Sequence, residues 1–538
     1  ADLESPFMSK LLVKAFSILY LHVSGAVPWY GLACYLAQFW AMATFLHALS
    51  SIERAKRVFV PLAVLYSVVA TMFVIRCGYN SSSILLSGIS VLAFVAYVRE
   101  ERATRWNVLA CALGLTFAFL FRPRGMQGAM VYIAPALVAF GALNLRMYKP
   151  WMLVLFLAPI GVVSAAHTVW DVFLVSDEFR EYQQFNRKRG KFHAYPISTI
   201  NQGNPEILKA NHWQDFHYNL LWSWFFVDED RWNVETLGNI FKHTRPLPED
   251  NVDSELISKV LTKLDETYGV FLGLLPLVVF GVVVSQSIWV AIWSAGYILY
   301  LIVLSTFMTI VLRFPDRVGD PMFAVAGVAA LWITLSGRKH DWKLGWFPGV
   351  ARAIVFLVCL VYPMVGEGGF LENHAQQIRN AAGQNRQFEK TMADLNQWFD
   401  GCILFAQPAI LHTVHQNPLK NYTYTYKDVP SGWRTFSPLF YEMLRSEGLE
   451  RGSQLIPFAI DNPRFFFLFQ PMVTTWIIQF VKDQYGIDCK IRTWDDISND
   501  RYLIFQLETD PNPLGADDRI RQERSRGTPD QRRDRQPR

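Results

Sequence analysis

A chain of 538 residues that is 51% hydrophobic and 15% aromatic is too apolar for an ordinary soluble protein, yet with 18% charged residues it is too polar to lie wholly in a membrane. The net charge of +5 is accounted for by basic loops and an Arg-rich tail and does not argue for nucleic acid. Six cysteines are scattered without metal-ligand spacing, and Cys34, Cys111 and Cys359 fall within apolar runs as small packing residues.

In chain order, residues 9–24 are amphipathic, carry Lys10 and Lys14, and predict an interfacial helix rather than a span. Ten apolar runs follow at 28–50, 57–75, 82–98, 106–121, 126–145, 151–175, 269–286, 288–312, 320–336 and 351–366. Crossing a bilayer takes roughly 20 apolar residues in a helix. The short loops between these runs alternate in Arg and Lys: 51–57, 99–105, 146–150 and 337–346 are basic and read as cytoplasmic. Segments 1–27, 76–81, 122–125, 176–268, 313–319 and everything after 366 then lie outside. Ala1 falls on the outer face by this parity, which predicts an upstream helix or cleaved signal.

The expected fold is therefore a polytopic α-helical membrane protein of about ten spans, with an outer-face helical loop and a C-terminal α/β soluble domain. Its parts are an outer segment and interfacial helix (1–27), a first half-bundle (28–175), an aromatic-rich outer loop (176–268), a second half-bundle (269–366), the soluble domain (367–510) and a disordered tail (511–538). Ser176–Gly190, Val252–Tyr268 and Leu371–Phe399 have helical spacing. Strands are expected at Cys402–Phe405, Leu455–Ile460, Phe465–Phe469, Cys489–Trp494 and Tyr502–Leu507, with a helix at Met472–Tyr485. Cys402 and Cys489 are equally open to a disulfide or to two thiols.

No phosphate-binding Gly-rich loop, Cys-x-x-Cys or His-Glu-x-x-His occurs; His412 and His415 lack a third ligand for a metal. Chemistry is thus sought on the outer face. Arg122 and Arg124 flank Pro123 in one short outer turn, and Arg313 and Arg317 close another. Such arginines either snorkel to headgroups or grip a lipid-linked phosphate, for which the planar guanidinium fork is suited. In the large outer loop, His212, Asp215 and His217 precede Trp222, Trp224 and Asp228. Aromatic faces beside Asp and His suit a sugar ring; an aromatic belt on the membrane is the plainer alternative. Asp215 with either histidine could perform acid–base work. Tyr182, Asn186 and Arg187 open a further polar run on the same side.

Leu11–Leu46, the Arg122/Arg124 turn, Tyr182–Pro196 and Asp215–Leu237 resemble, in layout, the C-type glycosyltransferases, membrane enzymes that use polyprenyl-phosphate sugars. The resemblance implies a catalytic acid in the first outer loop, where Asp2 and Glu4 stand here, though not as adjacent acids. It implies that Arg122, Arg124, Arg313 and Arg317 hold the lipid phosphate, and that the C-terminal domain recognises a glycan or protein acceptor. A divalent metal is left open, and no particular cofactor is indicated. The implied reaction is sugar transfer with inversion at the outer face of a bacterial inner membrane. Two other classes compete: a non-catalytic subunit of an envelope or filament complex, and a lipid-linked sugar transporter. Scarcity of ionisable residues in mid-span counts against the transporter.

Overall fold

In the computed structural model, residues 8–52, 78–139, 145–194, 204–243, 288–311, 316–336, 370–408, 417, 419–494 and 502–510 are described. The expected spans 57–75, 269–286 and 351–366 lie outside them, as do the expected helix Val252–Tyr268 and the tail. The described protein is mostly helical, with one small sheet near the C-terminus. Three of its helices are long and apolar enough to cross a membrane: Trp29–Ser51, Tyr79–Arg99 and Pro150–Leu174. Shorter apolar helices cover Arg105–Phe121, Ile292–Met308 and Val318–Trp332.

The chain divides into two compact units. The first comprises 1–177, 246–389 and 415–422; the second comprises 178–245, 390–414 and 423–538.

In the first unit, α1 (Lys10–Ile18) continues into a π-helical turn, Leu19–Val23. It is followed by α2 (Trp29–Ser51), α3 (Tyr79–Arg99), α4 (Arg105–Phe121), α5 (Pro123–Ala139) and α6 (Pro150–Val169, extended by a π turn to Leu174). After these come α11 (Ile288–Val311) and α12 (Asp316–Ser336). Helix α3 is the hub and is almost wholly buried. Its small residues allow this. A Cβ at Gly88 would run into the Val325 side chain of α12, the close approach that small residues permit between membrane helices. Helices α2 and α3 run parallel: the Tyr79 backbone N–H donates to Tyr30 Oη (3.3 Å) and Ser82 Oγ to the Cys34 carbonyl (3.2 Å). At their far ends His47 Nδ1 meets Tyr97 Oη at 2.6 Å. Helix α6 instead turns Val154, Val162, Val169 and Phe173 outward, as a helix surrounded by lipid does.

The second unit contains α7 (Asp177–Ala194), α8 (Pro205–Asn211), α9 (Asp215–Trp222), α10 (Val234–Lys242), α14 (Pro438–Ser446), α15 (Leu455–Ala459) and α16 (Pro471–Tyr485). Helix α13 (Phe370–Trp398) leads into it. Its strands are β1 (Ile403–Ala406), β2 (Lys427–Asp428), β3 (Phe465–Phe469), β4 (Cys489–Thr493) and β5 (Leu503–Thr509), in the order β2-β1-β3-β5-β4. Strand β1 is parallel to β2 and β3, while β5 is antiparallel to both β3 and β4. The expected strand Leu455–Ile460 is instead the helix α15. It follows a helical turn, Gly452–Gln454, fastened by Gln454 Oε1 accepting the Arg451 N–H (3.1 Å). Cys402 and Cys489 are both thiols.

The aromatic segment read as an outer loop is part of this unit's core. Phe225, Phe226, Trp232 and Leu237 are fully buried together with Phe405, Phe467, Phe469 and Phe480. Sheet strands need an apolar layer on their inner face, and the segment 178–245 supplies it. Gly432 holds a left-handed φ of +65°, where a Cβ would also strike the Pro408 ring.

Candidate functional site

The sequence-derived residues separate between the two units, and some fall outside the described chain. Asp2, Glu4 and Arg313 lie outside the described residues, as do His412 and His415. Arg317 sits in the first turn of α12.

In the first unit the Arg-Pro turn is built as follows. Pro123 lacks an N–H and forces its predecessor out of the helical region. Arg122 is accordingly extended (φ −164°, ψ 103°), and α4 ends while α5 begins. Ser83 Oγ lies 2.8 Å from the Ala118 carbonyl and 2.9 Å from that of Arg122, so its single O–H can donate to either and ties α3 to this helix end. The Arg122 guanidinium donates to Asn80 Oδ1 and lies over the Tyr79 ring at 5.4 Å. Arg124, in the first turn of α5, is exposed.

Three further ionisable groups gather around the same helix end. The Ser9 N–H donates to the Leu120 carbonyl (3.0 Å), docking the start of α1 there. The next residue, Lys10, is 8% exposed and pairs with Asp171 at 3.3 Å. Asp171 Oδ2 is also 3.5 Å from His167 Nε2, and the His167 ring meets Phe119 edge-on at 5.7 Å. Phe119 and Arg122 are one helical turn apart. Ser9 and His167 thus both reach the last turn of α4, and Asp171 joins Lys10 to His167 beside it, while the Arg122 guanidinium leaves the same helix end towards Asn80 and Tyr79. Sequence reading placed Lys10 in an interfacial helix, but nothing in the one-dimensional pattern joins residues so distant in the chain.

In the second unit, α9 orders the aromatic segment. Gln214 and His217 form a reciprocal cap, with the Gln214 N–H donating to His217 Nδ1 (3.1 Å). His217 is fully buried, and its Nε2 faces Asp483 Oδ2 at 3.4 Å. Burial, reinforced by the nearby Arg231 charge, drops the His217 imidazole to about 4. Asp228 is likewise buried: it accepts from Tyr485 Oη (3.0 Å) and the Asp230 N–H (2.9 Å), while burial pushes its carboxyl up. Trp224 is stacked on His193 at 3.9 Å. Beneath it Arg189 is completely buried, with its guanidinium 3.9 Å from the Trp433 ring and 5.0 Å from that of Trp224. Arg189 donates to the Gly432 carbonyl (3.2 Å) and to Asn186 Oδ1; burial lowers it to about 9.

His217, Asp228 and Trp224 are therefore built into packing and hydrogen bonding inside the unit. His212 caps α8 in a left-handed conformation (φ 52°) and stays exposed. Asp215 and Trp222, also exposed, lie at i and i+7 on one face of α9, with Asn219 between them. Among the described residues no group of three or more His, Cys, Asp or Glu is placed to hold a metal ion.

No protein-family model, curated protein or solved structure matches this chain.

Proposed function

We propose that the protein is a multi-pass glycosyltransferase of the C type, with about ten spans in a bacterial inner membrane, that moves a sugar from a polyprenyl-phosphate donor to a cell-envelope acceptor at the outer face. The observation that carries this reading is the Arg122 turn. It closes a helical hairpin at one end of an apolar helix unit, with Asn80 and Tyr79 around it and Ser9 docked on the preceding turn. A guanidinium at the end of apolar helices suits a ligand with a phosphate head and a prenyl tail: charge-assisted bonds hold the head, and the tail stays in lipid. Arg124 and Arg317, and Arg313 beyond the described residues, add cationic charge in the same reading. In the second unit, the α9 face bearing exposed Asp215 and Trp222, with half-buried Asn219 between them, suits the sugar rings of a glycan acceptor, with the indole against C–H faces and the carboxylate and amide on hydroxyls.

The test is donor binding by full-length protein in lipid nanodiscs, using radiolabelled polyprenyl-phosphate hexoses and pentoses. A charge-assisted hydrogen bond contributes about 1.5–3 kcal/mol, so Arg122→Ala should weaken binding by roughly 10- to 150-fold. A variant that stays folded and binds every donor as tightly as the wild type refutes the reading.

A further inference from the structure

We propose that Asp171 is the group that receives the acceptor's proton, with Lys10 and His167 as positioning residues. This rests on the function proposed above and identifies a carboxylate for it that the sequence did not single out. Four observations converge on Asp171. It lies in the π-helical turn Trp170–Leu174, a rare local geometry that recurs at functional sites. Its side chain is 44% exposed although its partner Lys10 is only 8% exposed, so the carboxylate is anchored from the protein side and open on the other. His167, one turn earlier on the same helix, stands 3.5 Å from Oδ2 and carries a buried Nδ1 with no hydrogen-bond partner among the described residues. Finally, the Phe119–His167 and Ser9–Leu120 contacts bring the group to the helix end that carries Arg122.

The step balances as follows. The acceptor O–H bond breaks and its proton moves to an Asp171 carboxylate oxygen. The acceptor oxygen's electron pair forms the new bond to the sugar's anomeric carbon. The bond from that carbon to the lipid phosphate oxygen breaks, its electron pair leaving with the phosphate, whose charge Arg122 meets. The Lys10 ammonium fixes one carboxylate oxygen, and His167 restrains the other.

The experiment uses full-length protein in nanodiscs with the same polyprenyl-phosphate sugars, water serving as acceptor, and reads release of free sugar beside donor binding. Asp171→Asn keeps size and polarity but removes basicity. Turnover should fall at least ~100-fold, the usual scale for general-base loss, while the donor Kd stays within about twofold of wild type. Asp171→Glu should restore part of kcat. Lys10→Met should lower kcat without raising KM, whereas Lys10→Arg should not. If Asp171→Asn turns over at the wild-type rate, or loses donor binding and thermal stability together with turnover, Asp171 is a structural tether and the proposal falls. If Asp171→Asn behaves as expected but Arg122→Ala binds donor normally, the base stands and the phosphate site is misplaced. Absence of turnover by the wild type overturns both readings.

Discussion

Lowering the pH should destabilise the second unit through His217, and the size of the effect follows from its surroundings. The imidazole is fully buried, accepts the Gln214 N–H at Nδ1, and is held down to about 4 by burial first and by Arg231 second. An unfolded histidine titrates near 6.5. Between these values the unfolded chain binds a proton that the folded unit refuses, so stability is intact above pH 6.5 and declines as pH falls towards 4. Linkage gives a loss, relative to pH 7, of about 1 kcal/mol at pH 5.5 and about 2.5 kcal/mol at pH 4.5. Hydrogen exchange by mass spectrometry on the full chain, corrected for the intrinsic exchange rate at each pH, reads this in peptides covering Asp215–Trp222 and Pro471–Tyr485. His217→Asn replaces Nδ1 with an acceptor oxygen and has nothing to titrate, so its protection should lose this component. An unchanged slope in His217→Asn would refute the reasoning, because some other group would then bind the proton.

Two further substitutions probe the two units separately. Tyr485→Phe removes a hydroxyl that donates to buried Asp228 and should cost about 1–3 kcal/mol, read by urea unfolding of the second unit; a neutral result would mean that Asp228 finds another donor. Gly88→Val places a branched side chain against Val325 in a close helix contact of the first unit; overpacking of about 1–3 kcal/mol should lower the detergent-solubilised melting temperature, while Gly88→Ala does so less.

The helices of the first unit were legible because lipid imposes length: an apolar run of span size has few alternatives to a helix. Helices α2, α3 and α6 coincide with expected runs to within a few residues. Short segments fared differently. Phe465–Phe469 reads as a strand from its aromatic run, but Leu455–Ala459 has no period to distinguish strand from helix, and its helical cap lies in the preceding turn. The aromatic stretch 222–232 could not be divided between surface and core for a deeper reason: Trp222 is exposed, whereas Phe225, Phe226 and Trp232 are buried. Exposed sugar-stacking rings and buried core rings have the same composition, and only the partners supplied by β1, β3 and α16 decide between them. The Lys10–Asp171 pair was illegible because pairing across such a separation leaves no local pattern.

The split origin of the sheet-bearing unit has a consequence for biosynthesis. Its apolar layer comes from 178–245, but the strands that layer covers come from the last third of the chain, after the whole stretch 246–389 has been made. During translation, Phe225, Phe226 and Trp232 therefore emerge long before Phe405, Phe467 and Phe469 exist to receive them. For that interval the nascent chain carries an incomplete core that holdase chaperones can capture, and a chain stopped before the strands would leave it permanently open to proteolysis.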